Sequence, residues 1–330
     1  MSLMSELPSK NWEKIENPQE YGYSLEKLSE AEKYCREINS AAFMVVVDGK
    51  VLFEYGETAR KFSCHSIRKS FLSALYGIYV KKGVINLNST LGELGIDDGE
   101  PSLTEIEKQA EVSDLLKSRS GIYHVSNFQT PTSKSKIPER GSHKPGSFWY
   151  YNNWDFNVLG TIFNKLTGVD IFQAYKQEIA DPLQMEDFTL EDCHYHEADE
   201  KSTHLAYVFR VTARDMARFG LLYLNKGKWK DKQIIPQSWV EESSKVYSHD
   251  EKGVGYGYMW WVASDGKLLP GIELGEGTII AEGFRGHYIL IIPEKNMVIV
   301  HRFNTYDLKE GEVTDEQFSK LIQIIFNSKK

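Results

Sequence analysis

The chain of 330 residues predicts an α/β fold. The expected architecture is an antiparallel sheet built from both ends of the chain, flanked by helices, with a mostly helical domain inserted between them. Three observations predict it. Strand-like runs occupy the first sixty residues and return after about residue 255. Helical patterns dominate between Gly83 and about Val240. The turn Pro293-Glu294-Lys295-Asn296 joins two strand-like runs and is too short for anything but antiparallel pairing. The expected division is residues 1–65 with 241–330 as the sheet domain and 66–240 as the helical one, with the active site in the cleft between them.

Taken in order, Ser24 to Ile38 reads as an amphipathic helix, with Leu25, Leu28, Ala31, Cys35 and Ile38 near one face. Ala41 to Val47 and Val51 to Tyr55 are strands around the hairpin signal Asp48-Gly49. From Ser70 to Val80 the chain is apolar on nearly every face, which predicts a buried helix that Ser66 starts. Lys81 and Lys82 suit its C-terminus, and Gly83 suits the cap. A short helix starts at Ser113 and stops at Ser120-Gly121. The polar stretch from Val125 to His143 is a long loop. Helices follow over Asp155–Leu166, closed by Gly168, and over Asp170–Ile179, stopped before Pro182. Glu191 to His204 reads as a second polar loop. Thr212–Leu224 and Pro236–Ser243 are helices. Tyr258–Val262, Thr278–Ala281, Tyr288–Ile292 and Met297–Val300 are strand-like. Thr314–Phe326 closes the chain as a helix, with Thr314 and Gln317 as a capping box.

Composition narrows the function. A net charge of −8 with no basic stripe argues against nucleic acid as the main partner. No apolar run approaches a membrane span of roughly 18 residues, so no membrane partner is expected. The polar N-terminus has no signal-peptide core, and Met1-Ser2-Leu3 reads as an added leader before a native start at Met4. Cys35, Cys64 and Cys193 follow no disulfide or metal spacing. Together these point to the cytoplasm. Cys193, His194, His196 and His204 fit no standard zinc pattern, and no metal or cofactor is expected. Gly253, Gly255 and Gly257 lack the strand-before, helix-after context of a dinucleotide fingerprint.

The chemistry centres on Ser66-Ile67-Arg68-Lys69 at the head of the buried helix. Lys69 lies one turn on from Ser66 and on the same face, which makes Ser66 a candidate activated nucleophile. Ser-x-x-Lys also starts at Ser24, Ser133 and Ser264, but only Ser66 heads a buried helix. The plain alternative is a helix-capping serine beside a solvated lysine. Tyr-x-Asn likewise starts at Tyr150, Tyr151 and Tyr223.

Ser-x-x-Lys is a signature of β-lactamases and penicillin-binding proteins. Pro145-Gly146 through Tyr151-Asn152-Asn153 to Val158-Leu159-Gly160 resembles the second motif of class C β-lactamases and related serine esterases. That spacing selects Tyr151 and Asn153, with Tyr150 as rival. Val112 to Ile122, Ala213 to Gly220, Ile235 to Val240, Tyr256 to Trp261 and Gly283 to His287 also resemble family segments, so the likeness runs from about Ala41 to Asn304. The resemblance implies a β-lactamase/transpeptidase-like fold and a β-lactamase-related serine hydrolase, of the esterase or 6-aminohexanoate-dimer-hydrolase branch. One stretch departs from the β-lactamases: where they usually carry Lys-Thr-Gly, this chain has Ala281-Glu282-Gly283. A cation for a substrate carboxylate is missing, and Glu282 adds the opposite charge. His287 stands where the esterase branch usually has Gln.

The implied reaction is attack of Ser66 on a small ester or amide, giving an acyl-enzyme that water hydrolyses. Lys69 and Tyr151 share the proton transfers. One of them must shift by about three pKa units to act as a base near neutrality, and the sequence leaves open which. Asn153 orients Lys69 or substrate. The backbone N–H groups of Ser66 and Phe284 form the oxyanion hole, beside Glu282, Gly283 and His287. His124 is a further candidate near the cleft. Phe148, Trp149, Trp154, Trp260 and Trp261 divide between core and acyl pocket. The alternatives are a β-lactamase or D-Ala-D-Ala peptidase, and a catalytically silent binding protein on the same scaffold.

Overall fold

A computed structural model describes residues 7–306 and 311–330. The expectation for Met1 to Met4 lies outside the described residues. Ser24 caps the first helix, α1 (Leu25–Glu37), by accepting from the Lys27 N–H. β1 (Ala42–Val47) and β2 (Lys50–Gly56) form the hairpin read at Asp48-Gly49. The short β3 (Phe62–Ser63) leads into α2 (Ile67–Lys81), in which 13 of 15 residues are buried. Its C-terminal turn ends at Gly83, whose φ of +72° a β-carbon would strain.

The middle of the chain contains α3 (Val112–Leu116), α4 (Pro131–Lys134), α5 (Asn153–Thr167) and α6 (Ile171–Tyr175). The expected loop at 191–204 is instead partly ordered as β4 (Cys193–Tyr195), which pairs with β5 (Tyr207–Val211). β5 also pairs with β3, giving a three-stranded sheet that the sequence pattern did not reveal. α7 (Ala213–Leu224) follows, N-capped by Thr212. β6 (Lys228–Trp229) and β7 (Lys232–Gln233) form a small hairpin before α8 (Gln237–Ser243). The remaining strands are β8 (Ser248–His249), β9 (Gly255–Tyr256), β10 (Trp261–Val262), β11 (Ile279–Gly283), β12 (His287–Ile292) and β13 (Met297–Arg302). The strand expected over Tyr258–Val262 shrinks to β10, because Met259 takes a φ of +61° and breaks the extended run. α9 (Asp315–Phe326) closes the chain with the expected Thr314/Gln317 capping box.

The main sheet has the order β2-β1-β13-β12-β11-β10-β9-β8, and every neighbouring pair is antiparallel. Both of its faces are covered. Along β1, Phe43, Val45 and Val47 join the cluster under α1 and α9, while Ala42, Met44 and Val46 join the cluster with α2 and α7. This double burial explains the unbroken apolar runs in the sequence, since neither face needs polar residues. The approach of helix to sheet and helix to helix is close. A β-carbon on Gly220 of α7 would come within 2.5 Å of Val298, and one on Gly77 of α2 within 2.3 Å of the Trp239 ring. All three cysteines are free. No described helix is long and apolar enough to cross a membrane.

Candidate active site

Ser66 sits on the turn that feeds α2. The preceding residue, His65, has a φ of +48°, a left-handed conformation uncommon outside glycine. Its ring is held by Thr305 Oγ1 at 3.1 Å and packs on His287, 5.1 Å between centroids. Gly283 of β11 lies against this turn. A β-carbon there would fall 2.6 Å from the Cys64 carbonyl, so the strand and turn meet backbone to backbone. Ser66 makes no capping bond to its own helix, which removes the plain capping reading.

Its hydroxyl instead lies 2.9 Å from Lys69 Nζ. Lys69 Nζ also reaches Tyr151 Oη at 2.6 Å and Asn153 Oδ1 at 2.8 Å. Two rings flank the same nitrogen, Tyr151 at 4.3 Å and Phe156 at 4.5 Å from their centroids. Only 2% of Lys69 is exposed. Burial, and then the neighbouring guanidinium of Arg68, push the Lys69 pKa well below its ordinary value. Burial pushes the Tyr151 phenol up to about 12. The two candidate bases therefore move apart: the amine leans toward its neutral form, and the phenol keeps its proton. Tyr150 leaves the contest, because its hydroxyl donates to the Ser133 carbonyl.

Asn152 N-caps α5 by accepting from Trp154 N–H, so Asn153, the first residue of that helix, is fixed in place. Asn152 Nδ2 also donates to the Asp155 carboxyl, which in turn accepts from Ser120. Arg68 was not singled out from sequence. It donates to Asn157 Oδ1 and stacks over Tyr207, 4.3 Å from the ring centroid. Asn157 donates onward to the Asn127 carbonyl, and Asn127 ties residues 199 to 204 through four further bonds. That chain anchors one end of the 125–143 loop. No motif marks it; an Arg inside the Ser-x-x-Lys at Ser66 was the only signal.

Ser66, Tyr151, Asn153, Glu282, Gly283 and Phe284 all line one cleft of about 780 Å³. The size suits a small-molecule ligand. Phe128, Gln129, Thr130 and Ser133 from the long loop form part of its wall. Neither the Ser66 nor the Phe284 N–H donates to a backbone carbonyl among the described residues, leaving both available for an oxyanion.

Two expectations need correction. His287 was expected to bind or orient substrate, but it is fully buried and does not line the cleft. Its Nδ1 accepts from Arg302 Nε at 2.9 Å. Arg302 also bonds the Phe62 and Ser63 carbonyls and that of Val211, so this pair backs the nucleophile turn from behind. His124 lies 3.4 Å from Asp98, away from the cleft lining. Of the five large aromatics, Trp154 and Trp260 are core, while Trp261 reaches the cleft. His204 bonds Thr161 and the Asp97 carbonyl, and His196 bonds the Glu197 carbonyl. Among the described residues no group of three His, Cys, Asp or Glu side chains is placed to hold a metal.

The geometry can be set beside known proteins. Residues 28–322 match the family model described as Beta-lactamase. An uncharacterized protein of Alkalihalophilus pseudofirmus is 22% identical over 76% of this chain and 76% of its own length. Protein flp of Staphylococcus aureus is 23% identical over 53% of this chain, which spans only 38% of that relative. Among solved structures, a Bacillus anthracis protein described as a 6-aminohexanoate-dimer hydrolase superposes with a TM-score of 0.68, at 19% identity, over 98% of this chain and 90% of that one. D-alanine carboxypeptidase AmpC from Burkholderia cenocepacia gives a TM-score of 0.66 at 16% identity, over 92% of this chain and all of the other. At such identities the structures show a shared fold, while the family model spans nearly the whole sequence. On that match, the chain belongs to the beta-lactamase family of hydrolases.

Proposed function

We propose that the chain is a serine hydrolase that cleaves a small ester or amide through an acyl-enzyme on Ser66. One observation carries the reading: a buried Lys69 amine within hydrogen-bond reach of Ser66, Tyr151 and Asn153 together. A neutral amine has two N–H donors and one lone pair. The donors suit Asn153 Oδ1 and Tyr151 Oη, and the lone pair then faces the Ser66 hydroxyl. Lys69 is the general base that takes the Ser66 proton as Oγ attacks the carbonyl. The developing oxyanion lies between the N–H groups of Ser66 and Phe284. The proton passes by way of Tyr151 to the leaving alcohol or amine. Water then attacks the acyl-enzyme, with the same pair running the transfers in reverse.

Ala281 takes the place at which a β-lactamase usually presents a lysine, and it is buried without charge. Substrates lacking a carboxylate at that point are therefore preferred over penicillin-type ones. A fluorophosphonate probe followed by peptide mass spectrometry tests the reading. The expected result is one adduct, on Ser66, with ester turnover lost in Ser66→Ala. No adduct on Ser66 in the folded protein overturns it and favours a silent binding protein. Cephalosporin turnover matching that of p-nitrophenyl esters would shift the substrate class to β-lactams.

A further inference from the structure

Glu282 is not explained by the reaction just derived. Alternation along β11 sends Ile279 and Ala281 toward α2, while Ile280 joins the cluster under α1 and α9. Glu282 shares the Ile280 side of the strand. β10 pairs with β11 only at Ile279 and Ile280, so no β10 residue pairs with Glu282. There Glu282 lines the catalytic cleft and also a second cavity of about 580 Å³. The two cavities share Lys252, Trp261, Glu282 and Asp315, so these residues mark their junction.

The carboxyl of Glu282 has no hydrogen bond or ion pair among the described residues. The charged and titratable groups facing it are Asp315 from α9, Lys252 and Asp250 from the segment before β9, its cross-strand neighbour Tyr288, Tyr256 of β9 and Tyr151 before α5. The acidic residues of α9 have a structural reason to be there, since Asp315 and Glu316 occupy the first turn, where the helix dipole favours them. Asp315 also accepts from Tyr288 at 2.7 Å. Glu282 belongs to no helix and has no such partner. Beside it, Trp261 is half-buried and stacks on Tyr151, with 5.7 Å between ring centroids. An unpartnered carboxyl, with a second carboxyl and an indole at the same junction, forms the chemistry that recognises an organic cation.

We propose that Glu282 and Trp261 are specificity-determining residues that select substrates carrying an ammonium group, held where the two cavities meet. The inference deepens the hydrolase reading and rests on it for the bond that is broken. Burial and Asp315 together push the Glu282 pKa up to about 8. At neutral pH the free site therefore holds a proton that a bound cation displaces. With a permanently charged ligand only the protein titrates, so cation affinity weakens as pH falls below about 8.

The test is calorimetric and needs no turnover. Ser66→Ala protein is titrated with butyrylcholine and with its uncharged isostere, 3,3-dimethylbutyl butyrate. The expected result is roughly tenfold tighter binding of the cation at pH 8. Proton release at pH 7 should appear as a heat that varies with buffer ionisation enthalpy. Glu282→Gln in the same background should remove both the preference and the proton release, and Trp261→Leu should reduce the preference. Equal affinities, absence of measurable binding by the cation, or a preference that survives Glu282→Gln overturns the proposal. Turnover of the two esters by the unaltered enzyme reports separately on the hydrolase reading. Ser66-dependent cleavage without cation preference leaves that reading standing while the inference falls.

Discussion

Two buried basic side chains flank the turn that carries Ser66, and they are held in opposite ways. Lys69 hydrogen-bonds groups that exchange protons or tolerate a neutral amine: a hydroxyl, a phenol and an amide oxygen. Arg302 is fully buried and gives its protons to fixed acceptors, the Phe62 and Ser63 carbonyls at 2.9 and 3.0 Å and His287 Nδ1 at 2.9 Å. A guanidinium keeps its charge in a protein, whereas an amine gives up its proton when desolvated. The same burial therefore suits one residue to proton exchange and the other to a structural clamp. The contrast teaches that a buried cation is read by its partners.

The comparison breaks most sharply at Lys69. Lys69→Met should lower kcat/KM by roughly a thousandfold or more, within the range for loss of a general base. Lys69→Arg should not rescue it, since Arg cannot shed its proton. Substantial turnover by Lys69→Arg would place the base elsewhere. Arg302→Met should act on stability instead. It takes the Arg302 donor away from three carbonyls and His287, at about 1–3 kcal/mol for each buried acceptor left unsatisfied. Urea unfolding reads this directly, and turnover per folded molecule should persist. Tyr151→Phe removes one proton relay and keeps the ring beside Lys69, so a fall of roughly a hundredfold is expected, in kcat more than in KM.

The smallest effect is a slope. The folded-state pKa of Lys69 lies well below its ordinary value. Between the two values the unfolded chain holds a proton that the folded chain has shed, so stability rises with pH across that window and declines as pH falls through it. Denaturation midpoints measured from neutral pH to pH 10 should show this rise, and Lys69→Met should flatten it. A slope unchanged by Lys69→Met would show that the amine stays charged in the fold.

Much of this was legible in the chain. α2 and the hairpin at Asp48-Gly49 follow from apolar pattern and turn chemistry, and the Ser66–Lys69 pair from helical spacing. Tyr151 meets Lys69 from 82 positions away, so no local pattern chooses it over Tyr150; a resemblance between motifs did. β4 escaped because a three-residue strand in a polar stretch has no period to read, and β5, a five-residue buried run, carries no alternation to mark it. The role of His287 escaped for a different reason. Its neighbour Arg302 is adjacent only through strand pairing, and the sequence does not say which polar residues of a buried strand will be satisfied by one another.

The near-complete burial of α2 has a consequence for how the site fails. Its residues interlock with α5, α6, α8 and the sheet, so the segment that carries Lys69 is tied to the core on all sides. Buried elements of this kind open with the higher local free energies of a fold, above those of surface loops. Loss of the Ser66–Lys69 arrangement on heating is therefore expected to track loss of the core around α2.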